Sequence, residues 1–224
     1  RDFCLSRGLG DVYKRQAIIP IDFYCPLNGM ERDGMDMEQK LYDKLARSPV
    51  IAAVKDTNAL EAALASPSEI IFLLCGNIFN LQEIVERANR CGKDIYVHVD
   101  LIEGFSRDAV SLRYIAEKVH PTGIISTKSS QIKIAKELGL SAIQRLFIID
   151  SLSMRTAAKT TGLLSPEALE IMPGIMPKIL RELSSELETP LIAGGLITQK
   201  EDVISALNAG ALGVSTTNPN VWTL

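Results

Sequence analysis

Short apolar runs alternate with amphipathic segments along this chain from residue 48 onward. Each run is apolar on both faces, which is typical of parallel strands that are covered by helices. The segments between the runs carry apolar residues at helical spacing, as Leu81, Ile84, Val85 and Ala88 show. The pattern predicts strands at 50–54, 69–74, 94–99, 123–126, 141–149 and 168–172, followed by two more that end at Gly195 and Thr217. It predicts helices at 57–65, 80–91, 108–119, 129–138, 151–161, 176–187 and 200–208.

The alternation gives eight βα units, and right-handed crossovers between parallel strands close such a series into a barrel. We therefore predict an α/β fold, a compact (β/α)8 barrel of the TIM type with parallel strands, at 37–224. Units of about 21 residues would make it smaller than the usual barrel of about 250 residues. The alternative is a doubly wound open sheet, in which the eighth strand would not pair with the first.

Residues 1–36 differ from the rest of the chain. They mix Gly, Arg, Asp and Pro without periodicity, and they lack the apolar segment of a signal peptide. The run Asp-Val-Tyr-Lys-Arg-Gln at 11–16 resembles an artefact of sequence assembly, and Met37 offers a natural start. We predict that 1–36 form an irregular extension that is not part of the fold.

Composition narrows the class of protein. With 46% hydrophobic and 23% charged residues among 224, the chain can form one globular domain with a substantial core. It has no apolar run long enough to span a bilayer, so a membrane protein is not expected. The formal charge of −3 gives no overall attraction to nucleic acid, so any RNA contact must use a local basic surface. No pair among the four cysteines has metal-ligand spacing, which predicts reduced thiols and no metal.

The segment at 189–217 contains the clearest candidate site. One strand ends there in Gly194 and Gly195, a helix follows, and a second strand ends in Ser215, Thr216 and Thr217. Glycines leave main-chain N–H groups open to an anion, and hydroxyls add side-chain donors. Barrels of the TIM type bind phosphate near the ends of their seventh and eighth strands. We therefore predict that Gly194, Gly195, Ser215 and Thr216 bind phosphate, with a plain tight turn as the alternative.

The other strand ends are also polar or glycine, which favours a small, hydroxylated, anionic ligand. Candidate polar contacts for this ligand are Asp56, His98, Asp100, Lys128 and Gly174. His98 and Asp100 are two residues apart in one strand and therefore point to the same face. A hydrogen-bonded interior histidine is the alternative for His98, and a solvated lysine is the alternative for Lys128.

Two predicted strands carry a charge in an apolar context. Arg145 and Glu170 lie in the fifth and sixth strands, where a buried charge needs a partner. We expect an internal ion pair between them in preference to contact with a ligand.

A basic strip is predicted on the outside of the barrel. Lys133 and Lys136 share one helix face, Arg155 and Lys159 share another, and the two helices should be neighbours. Such a strip could hold an RNA backbone. A solvated surface is the more common role of such residues, and the strip lacks aromatic residues for base stacking.

Seven motifs are spread over the barrel. They are Ser-Pro-Val-Ile-Ala-Ala-Val-Lys-Asp at 48–56, His-Val-Asp-Leu-Ile-Glu-Gly at 98–104, Gly-Ile-Ile-Ser-Thr-Lys at 123–128, Gln-Arg at 144–145, Asp-Ser at 150–151, Glu-Ile-Met-Pro-Gly at 170–174 and Ile-Ala-Gly-Gly-Leu-Ile at 192–197. Together they resemble the glycerol-3-phosphate-responsive antiterminator family, bacterial regulators of glycerol uptake operons. The resemblance covers 38–224, and 1–36 have no counterpart in it.

The resemblance implies a cytoplasmic barrel without catalytic residues or cofactor. Such a protein binds glycerol 3-phosphate, then acts on the leader of its target mRNA and prevents transcription termination. Ligand control of RNA binding would follow if loop ordering over the phosphate aligned the basic strip, or a homodimer of such strips. Two alternatives are an enzyme of a small sugar or triose phosphate, and a metabolite-binding barrel that acts through a protein partner.

Overall fold

The structure, a computed structural model, describes residues 37–224, with side chains from residue 40 except those of 158 and 160. The predicted extension at 1–36 lies outside the described residues. The described chain forms a closed barrel of eight parallel strands in sequence order. Closure is direct, because β1 pairs with β2 on one side and with β8 on the other, with Ile51 opposite Ser215. The predicted (β/α)8 barrel is confirmed, and the open sheet is excluded.

The strands match the apolar runs of the sequence to within two residues at each end. They are β1 Val50–Val54, β2 Ile70–Leu73, β3 Asp94–His98, β4 Gly123–Ser126, β5 Ser141–Phe147, β6 Ala168–Met172, β7 Leu191–Gly194 and β8 Gly213–Thr216. All are parallel to their neighbours, and nearly every strand residue is buried. Burial on both faces explains why these runs show no alternation of polar and apolar residues.

Helices cover the outside of the barrel. They are α1 Met37–Arg47, α2 Leu60–Ala65 after a 3-10 turn at Thr57–Ala59, α3 Leu81–Arg90, α4 Ala109–Tyr114 continued by a π-helical stretch at Ile115–Val119, α5 Ser129–Glu137, α6 Ser151–Leu164, α7 Pro177–Glu186 and α8 Lys200–Asn208. Aspartates begin two of them, since Asp108 accepts from Ser111 N–H at 2.9 Å and Asp150 accepts from Ser153 N–H at 2.8 Å. None of the helices in the described chain is both long and apolar enough to cross a membrane.

Helix α1 is an element that the strand and helix pattern did not predict. Its Leu41 and Leu45 are buried and join the apolar cluster inside the barrel. Its Lys44 pairs with Asp94 at the start of β3, with 2.6 Å between Nζ and Oδ2. The helix therefore lies against the amino ends of the strands and helps to fill the barrel from that side.

One apolar cluster lies on each side of the sheet. The outer cluster lies between strands and helices, and the inner cluster fills the barrel. Within a strand the two alternate, so Ile95 and Val97 face the helices whereas Tyr96 faces the interior. Closer to the carboxyl ends of the strands, buried polar side chains take the place of this inner apolar cluster.

Candidate ligand-binding site at the carboxyl ends of the strands

Four buried polar side chains occupy the barrel interior near the carboxyl ends of the strands. They stand two residues beyond interior apolar or small residues: His98 follows Tyr96, Arg145 follows Ile143, Glu170 follows Ala168 and Ser215 follows Gly213. We call His98, Arg145, Glu170 and Ser215 the polar layer. Their exposed fractions are 2%, 7%, 1% and 3%. The layer therefore lies inside the barrel at the end where barrels of this fold hold ligands.

The predicted ion pair between Arg145 and Glu170 is confirmed. The two residues are register partners on β5 and β6, and Arg145 Nε lies 2.6 Å from Glu170 Oε2. The other carboxylate oxygen, Oε1, accepts from Ser215 Oγ at 2.7 Å. Glu170 thus connects the cation on β5 with the hydroxyl on β8. Both of its oxygens are engaged, as a buried carboxylate requires.

Glycine is required where β7 passes this carboxylate. A Cβ on Gly194 would lie 2.6 Å from Glu170 Oε1 and 2.7 Å from Ser215 Oγ. The next residue, Gly195, has a φ of +76° and Leu196 has a φ of 60°, so the chain turns sharply at the end of the strand. Gly194 therefore allows close packing over Glu170, and Gly195 allows the turn.

Gly174, predicted to contact the ligand, holds this turn in place. Its N–H donates to Gly194 O at 2.6 Å and to Gly195 O at 3.2 Å. A Cβ on Gly174 would lie 2.7 Å from Gly194 N, so the two loops meet main chain to main chain. The N–H of Gly174 is therefore already engaged, and a ligand contact at Gly174 stays a prediction.

The hydroxyls predicted to bind phosphate are engaged within the protein. Ser215 Oγ donates to Glu170, and Thr216 Oγ1 donates to Ile197 O at 2.7 Å. Thr216 O in turn accepts from Trp222 Nε1 at 2.8 Å. The donors that remain are main-chain groups, because the N–H groups of Gly195 and Thr217 have no acceptor within 37–224. Phosphate binding by Gly194, Gly195, Ser215 and Thr216 therefore stays a prediction, and the two hydroxyls already donate within the protein.

His98 and Asp100 lie close together, although β3 ends at His98 and Asp100 is in the turn that follows the strand. His98 Nδ1 is 4.0 Å from Asp100 Oδ2. That oxygen also accepts from Thr127 N–H at 2.8 Å and from the Ser126 hydroxyl at 3.0 Å. In contrast, His98 Nδ1 and Asp100 Oδ1 are buried without a hydrogen-bond partner in the described chain. Unpaired buried polar atoms are costly, so these two atoms are candidates for contact with a ligand.

The charges of this pair follow from its surroundings. Burial lowers the pKa of His98 to about 4, and the nearby charge of Arg145 acts in the same direction. His98 is therefore neutral at pH 7. Burial raises the pKa of Asp100, but the hydrogen bonds from Thr127 and Ser126 outweigh it, so the pKa lies below its ordinary value. The pair therefore offers a neutral imidazole and a carboxylate.

Asp56 and Lys128 are exposed at the ends of β1 and β4. Asp56 accepts from Asn58 N–H at 3.0 Å and caps the turn that begins at Thr57. Lys128 donates its main-chain N–H to Ser126 Oγ at 3.0 Å, and its side chain extends from the surface. Their roles as ligand contacts stay predictions. Ser126 and Thr127, which orient Asp100, belong to the motif at 123–128 but were not predicted as site residues.

The basic strip lies on neighbouring helices, as expected. Lys136 Nζ donates to Leu164 O at 3.2 Å and to Ser165 O, so α5 contacts the end of α6. Lys133 Nζ lies 4.0 Å from Glu137 Oε1 on its own helix. Arg155 and Lys159 are exposed on α6. Two of the four residues therefore have partners in the described chain, and Arg155 and Lys159 are exposed to solvent. RNA contact stays a prediction for all four.

The fold and the site together define a compact (β/α)8 barrel with a charged, hydrogen-bonding interior at the carboxyl ends of its strands. The model of the family described as glycerol-3-phosphate responsive antiterminator matches residues 50–222. The chain belongs to this family, and the resemblance stated from its motifs is confirmed.

The chain is similar to three further proteins, and the names of two of them support this assignment. The uncharacterized protein YgcP of Escherichia coli (strain K12) is 43% identical over 180 residues, which is 80% of this chain and 94% of that protein. A glycerol uptake operon antiterminator regulatory protein from Listeria monocytogenes str. 4b F2365 is 32% identical, with a TM-score of 0.74 over 77% of this chain and 94% of that one. A related protein from Thermotoga maritima MSB8 is 25% identical, with a TM-score of 0.70 over 78% and 98%. Barrels named as sugar-phosphate enzymes, at 15% identity or less, share the fold alone.

Proposed function

We propose that this protein is a regulator that binds glycerol 3-phosphate in the mouth of its barrel and, in that state, binds the leader of a target mRNA. RNA binding prevents transcription termination of genes for glycerol use, in the cytoplasm. The observation that carries the proposal is the polar layer beneath the glycine turn of β7. The ion pair, histidine and hydroxyl of this layer take the place of the apolar interior at the end where ligands bind.

The phosphate end of the ligand is assigned to β7 and β8. The N–H groups of Gly195 and Thr217 are donors without an acceptor in the described chain, and Gly195 has no Cβ to keep an anion away. Ser215 and Thr216 act here through their positions, since their hydroxyls hold Glu170 and Ile197. The main chain of Gly194, Gly195 and the β8 end therefore forms the phosphate cradle.

The glycerol end is assigned to β3. A hydroxyl group is both a donor and an acceptor, and it can satisfy His98 Nδ1 and Asp100 Oδ1, which lack partners. Asp56 and Lys128 lie at the surface of the same end of the barrel, where the loops meet the ligand. The arrangement requires no cofactor and no metal.

RNA contact is assigned to Arg155 and Lys159 on α6, supported by Lys133 on α5. The ligand can regulate RNA binding only if RNA prefers the ligand-bound state, because equal affinity for both states shifts nothing. Helix α6 begins directly after the loop that follows β5, the strand that carries Arg145. If a bound ligand ordered that loop, it would therefore also fix the position of the helix that carries the basic residues.

A specific observation also favours an enzyme of a small sugar phosphate. A neutral, buried His98 beside a carboxylate is an arrangement that acid–base catalysis uses. The hydroxyl nearest to a carboxylate in the polar layer is that of Ser215, which donates to Glu170, but Arg145 neutralises this carboxylate and weakens it as a base. The regulator is therefore the function that the site supports better.

Titration calorimetry with glycerol 3-phosphate, with glycerol as the uncharged control, tests the ligand. A gel shift with leader RNA, with and without the ligand, tests the coupling. We expect glycerol 3-phosphate to bind and glycerol not to bind. We also expect a tighter RNA complex when glycerol 3-phosphate is present. Equal RNA affinity in both conditions would contradict the regulator, and turnover of a triose phosphate would favour the enzyme.

A pair of charge reversals tests the RNA surface. Arg155→Glu with Lys159→Glu should weaken the RNA complex and leave ligand binding intact. Lys178→Glu with Arg181→Glu, at exposed residues three apart on α7, is the matched control and should have little effect. Equal loss in the two variants would show that overall charge, and not the strip on α6, governs RNA binding.

A further inference from the structure

We propose that Arg145 supplies the cation that recognises the charge of the ligand, and that Glu170 holds it in position. This inference rests on the proposed function, because it names the residue that makes the same site selective for a phosphate ester over a neutral polyol. It assigns to the internal ion pair a binding role that its spacing in the sequence did not indicate.

The first step is the burial of the cation. Arg145 is the only lysine or arginine within 40–224 that is buried, with 7% of its surface exposed. Lys128, the cation predicted to meet the ligand, is exposed to solvent. A charge inside a protein attracts an anion more strongly than one in water does, because solvent screens it less. Arg145 is therefore the stronger candidate for selection by charge.

The second step is the unused capacity of the guanidinium group. Only Nε has a hydrogen-bond partner in the described chain, Glu170 Oε2. The two terminal nitrogens have no such partner, and neither is sealed off as a buried unpaired atom. A guanidinium group can present two parallel donors to a phosphate, a geometry that lysine does not offer. Arg145 therefore keeps its terminal donors available in the barrel mouth.

The third step is the position of Glu170 relative to the turn. Its Oε1 lies so close to β7 that a Cβ on Gly194 would be 2.6 Å away. A lone carboxylate at this point would repel a phosphate held by the same turn. Arg145 cancels that charge, and the ion pair also fixes the guanidinium group beside the turn. Glu170 is thus a positioning residue, and Arg145 is the group that contacts the ligand.

Two variants separate this role from a purely structural one. Glu170→Gln keeps the shape, because its amide oxygen can accept from Arg145 Nε while its amide nitrogen donates to Ser215 Oγ, so Arg145 stays in position but loses its counter-charge. A dianionic ligand then becomes its partner, so we expect Glu170→Gln to bind glycerol 3-phosphate about fivefold more tightly, or better, by analogy with a charge-assisted hydrogen bond. The double variant Arg145→Gln with Glu170→Gln removes both charges together, and it should bind about 100-fold more weakly than the native protein.

Calorimetry with glycerol 3-phosphate measures both effects, and thermal melting shows that each variant is folded. The exposed cation provides a comparison, since Lys128→Gln should weaken binding by no more than about threefold. Equal affinities in the native protein, Glu170→Gln and the double variant would overturn the inference and leave the proposed function standing. If the double variant does not fold, Glu170→Gln alone decides, because unchanged or weaker binding contradicts the role of Arg145.

The two proposals can fail separately. If the native protein does not bind glycerol 3-phosphate, the proposed function fails, and inorganic phosphate becomes the probe of Arg145. Phosphate should then raise the melting temperature of Glu170→Gln more than that of the double variant. The same shift in both variants would overturn the inference.

Discussion

The interior of the barrel has two halves that are built from the same strands. Near the amino ends, Leu41 and Leu45 of α1 join Ile70, Phe72 and Tyr96 in an apolar cluster. Two residues further along β3, β5 and β6, the interior positions become His98, Arg145 and Glu170. A step of two residues keeps the side chain inside the barrel, so the strand geometry is unchanged and only the residue type differs.

The lower half, near the amino ends of the strands, and the upper half, near their carboxyl ends, also differ in how their polar atoms are hydrogen bonded. In the lower half, the Tyr96 and Ser141 hydroxyls are hydrogen bonded to each other at 3.1 Å, and Ser141 also donates to Glu167. Burial raises the pKa of Tyr96 well above its ordinary value, so this phenol stays neutral. In the upper half, His98 Nδ1 and Asp100 Oδ1 have no partner in the described chain. The lower half also leaves one buried atom of the described chain unpaired, Ser68 Oγ at the amino end of β2, so the halves differ in the type of unpaired group: a hydroxyl below, and an imidazole nitrogen and a carboxylate oxygen above.

The largest loss of stability is expected when a bulkier side chain replaces a closely packed glycine in the lower half. A Cβ on Gly123 would lie 2.5 Å from Ser141 O and 2.8 Å from Tyr96 Cε1, and the main-chain oxygen cannot move aside. Gly123→Val should lower the free energy of unfolding by more than about 4 kcal/mol, measured by urea denaturation.

Gly162→Val is the matched control for this substitution. Among the described residues, no atom apart from its chain neighbours and its own helix backbone lies within 4 Å of the Cβ position at Gly162, which is exposed on α6. Its effect should stay below about 0.5 kcal/mol, because no packing changes and both residues are weak helix formers. A loss of similar size at the two sites would show that the interior near Gly123 is looser than the structure indicates.

The second effect tests whether α1 closes the amino end. Leu45 is 1% exposed and belongs to the inner cluster. Leu45→Ala should lower the free energy of unfolding by about 3 kcal/mol, since it removes buried methyl groups and leaves a cavity. Ligand affinity should not change, because Leu45 lies at the opposite end from the polar layer.

An exposed leucine is the control for Leu45. Leu163 on α6 is 85% exposed, and Leu163→Ala should change the free energy of unfolding by less than about 0.5 kcal/mol. A loss of ligand affinity in Leu45→Ala, at temperatures where it is folded, would contradict the separation of the two halves.

The lower half could be predicted only in part from the sequence. The strands were visible because runs buried on both faces are almost continuously apolar, as in Val-Ile-Ala-Ala-Val at Val50–Val54. Helix α1 was not predicted, although Met37, Leu41 and Leu45 stand at helical spacing in an otherwise largely polar segment. The burial of Leu41 and Leu45 could not be predicted, because it depends on the barrel that they close.

In the upper half, the sequence indicated strand ends but not partners. The ion pair between Arg145 and Glu170 could be predicted because both charges lie within buried runs of adjacent strands. The bond from Ser215 to Glu170 could not, since β6 and β8 are not adjacent and their separation depends on barrel closure. The phosphate site at these strand ends stays a prediction, and only the structure shows that the Ser215 and Thr216 hydroxyls donate within the protein.

The third effect is a pH dependence that belongs to the upper half. The pKa of His98 is lowered to about 4 in the folded protein, so the unfolded chain binds the proton more tightly. Below the ordinary pKa of about 6.5, the proton therefore favours unfolding, and stability falls as the pH drops towards 4. Between pH 7 and pH 5, this histidine should account for a loss of about 2 kcal/mol.

The contribution of His98 is measured as a difference. Urea denaturation of the native protein and of His98→Gln at both pH values removes the effect of the acidic groups that titrate in the same range. The native protein should lose more stability than the variant by about 2 kcal/mol. Equal losses would show that His98 is protonated in the folded state, in conflict with its burial beside Arg145.

The smallest expected effect concerns an exposed side chain at the carboxyl end of the barrel. It tests whether burial, rather than location at this end, determines how much a polar side chain contributes to the free energy of unfolding. Asp150 lies at the same end but is exposed, and it begins α6 with a hydrogen bond of 2.8 Å from Ser153 N–H. Asp150→Ala should lower the free energy of unfolding by only about 1 kcal/mol, the usual effect of losing a helix cap. Asp150→Asn keeps an acceptor at the same place, so urea denaturation should show a change of no more than a few tenths of a kcal/mol, as expected among residues that cap well. If Asp150→Asn were as costly as Asp150→Ala, the negative charge would matter more than the cap, and the contrast between the buried polar layer and its exposed rim would be weaker than the structure indicates.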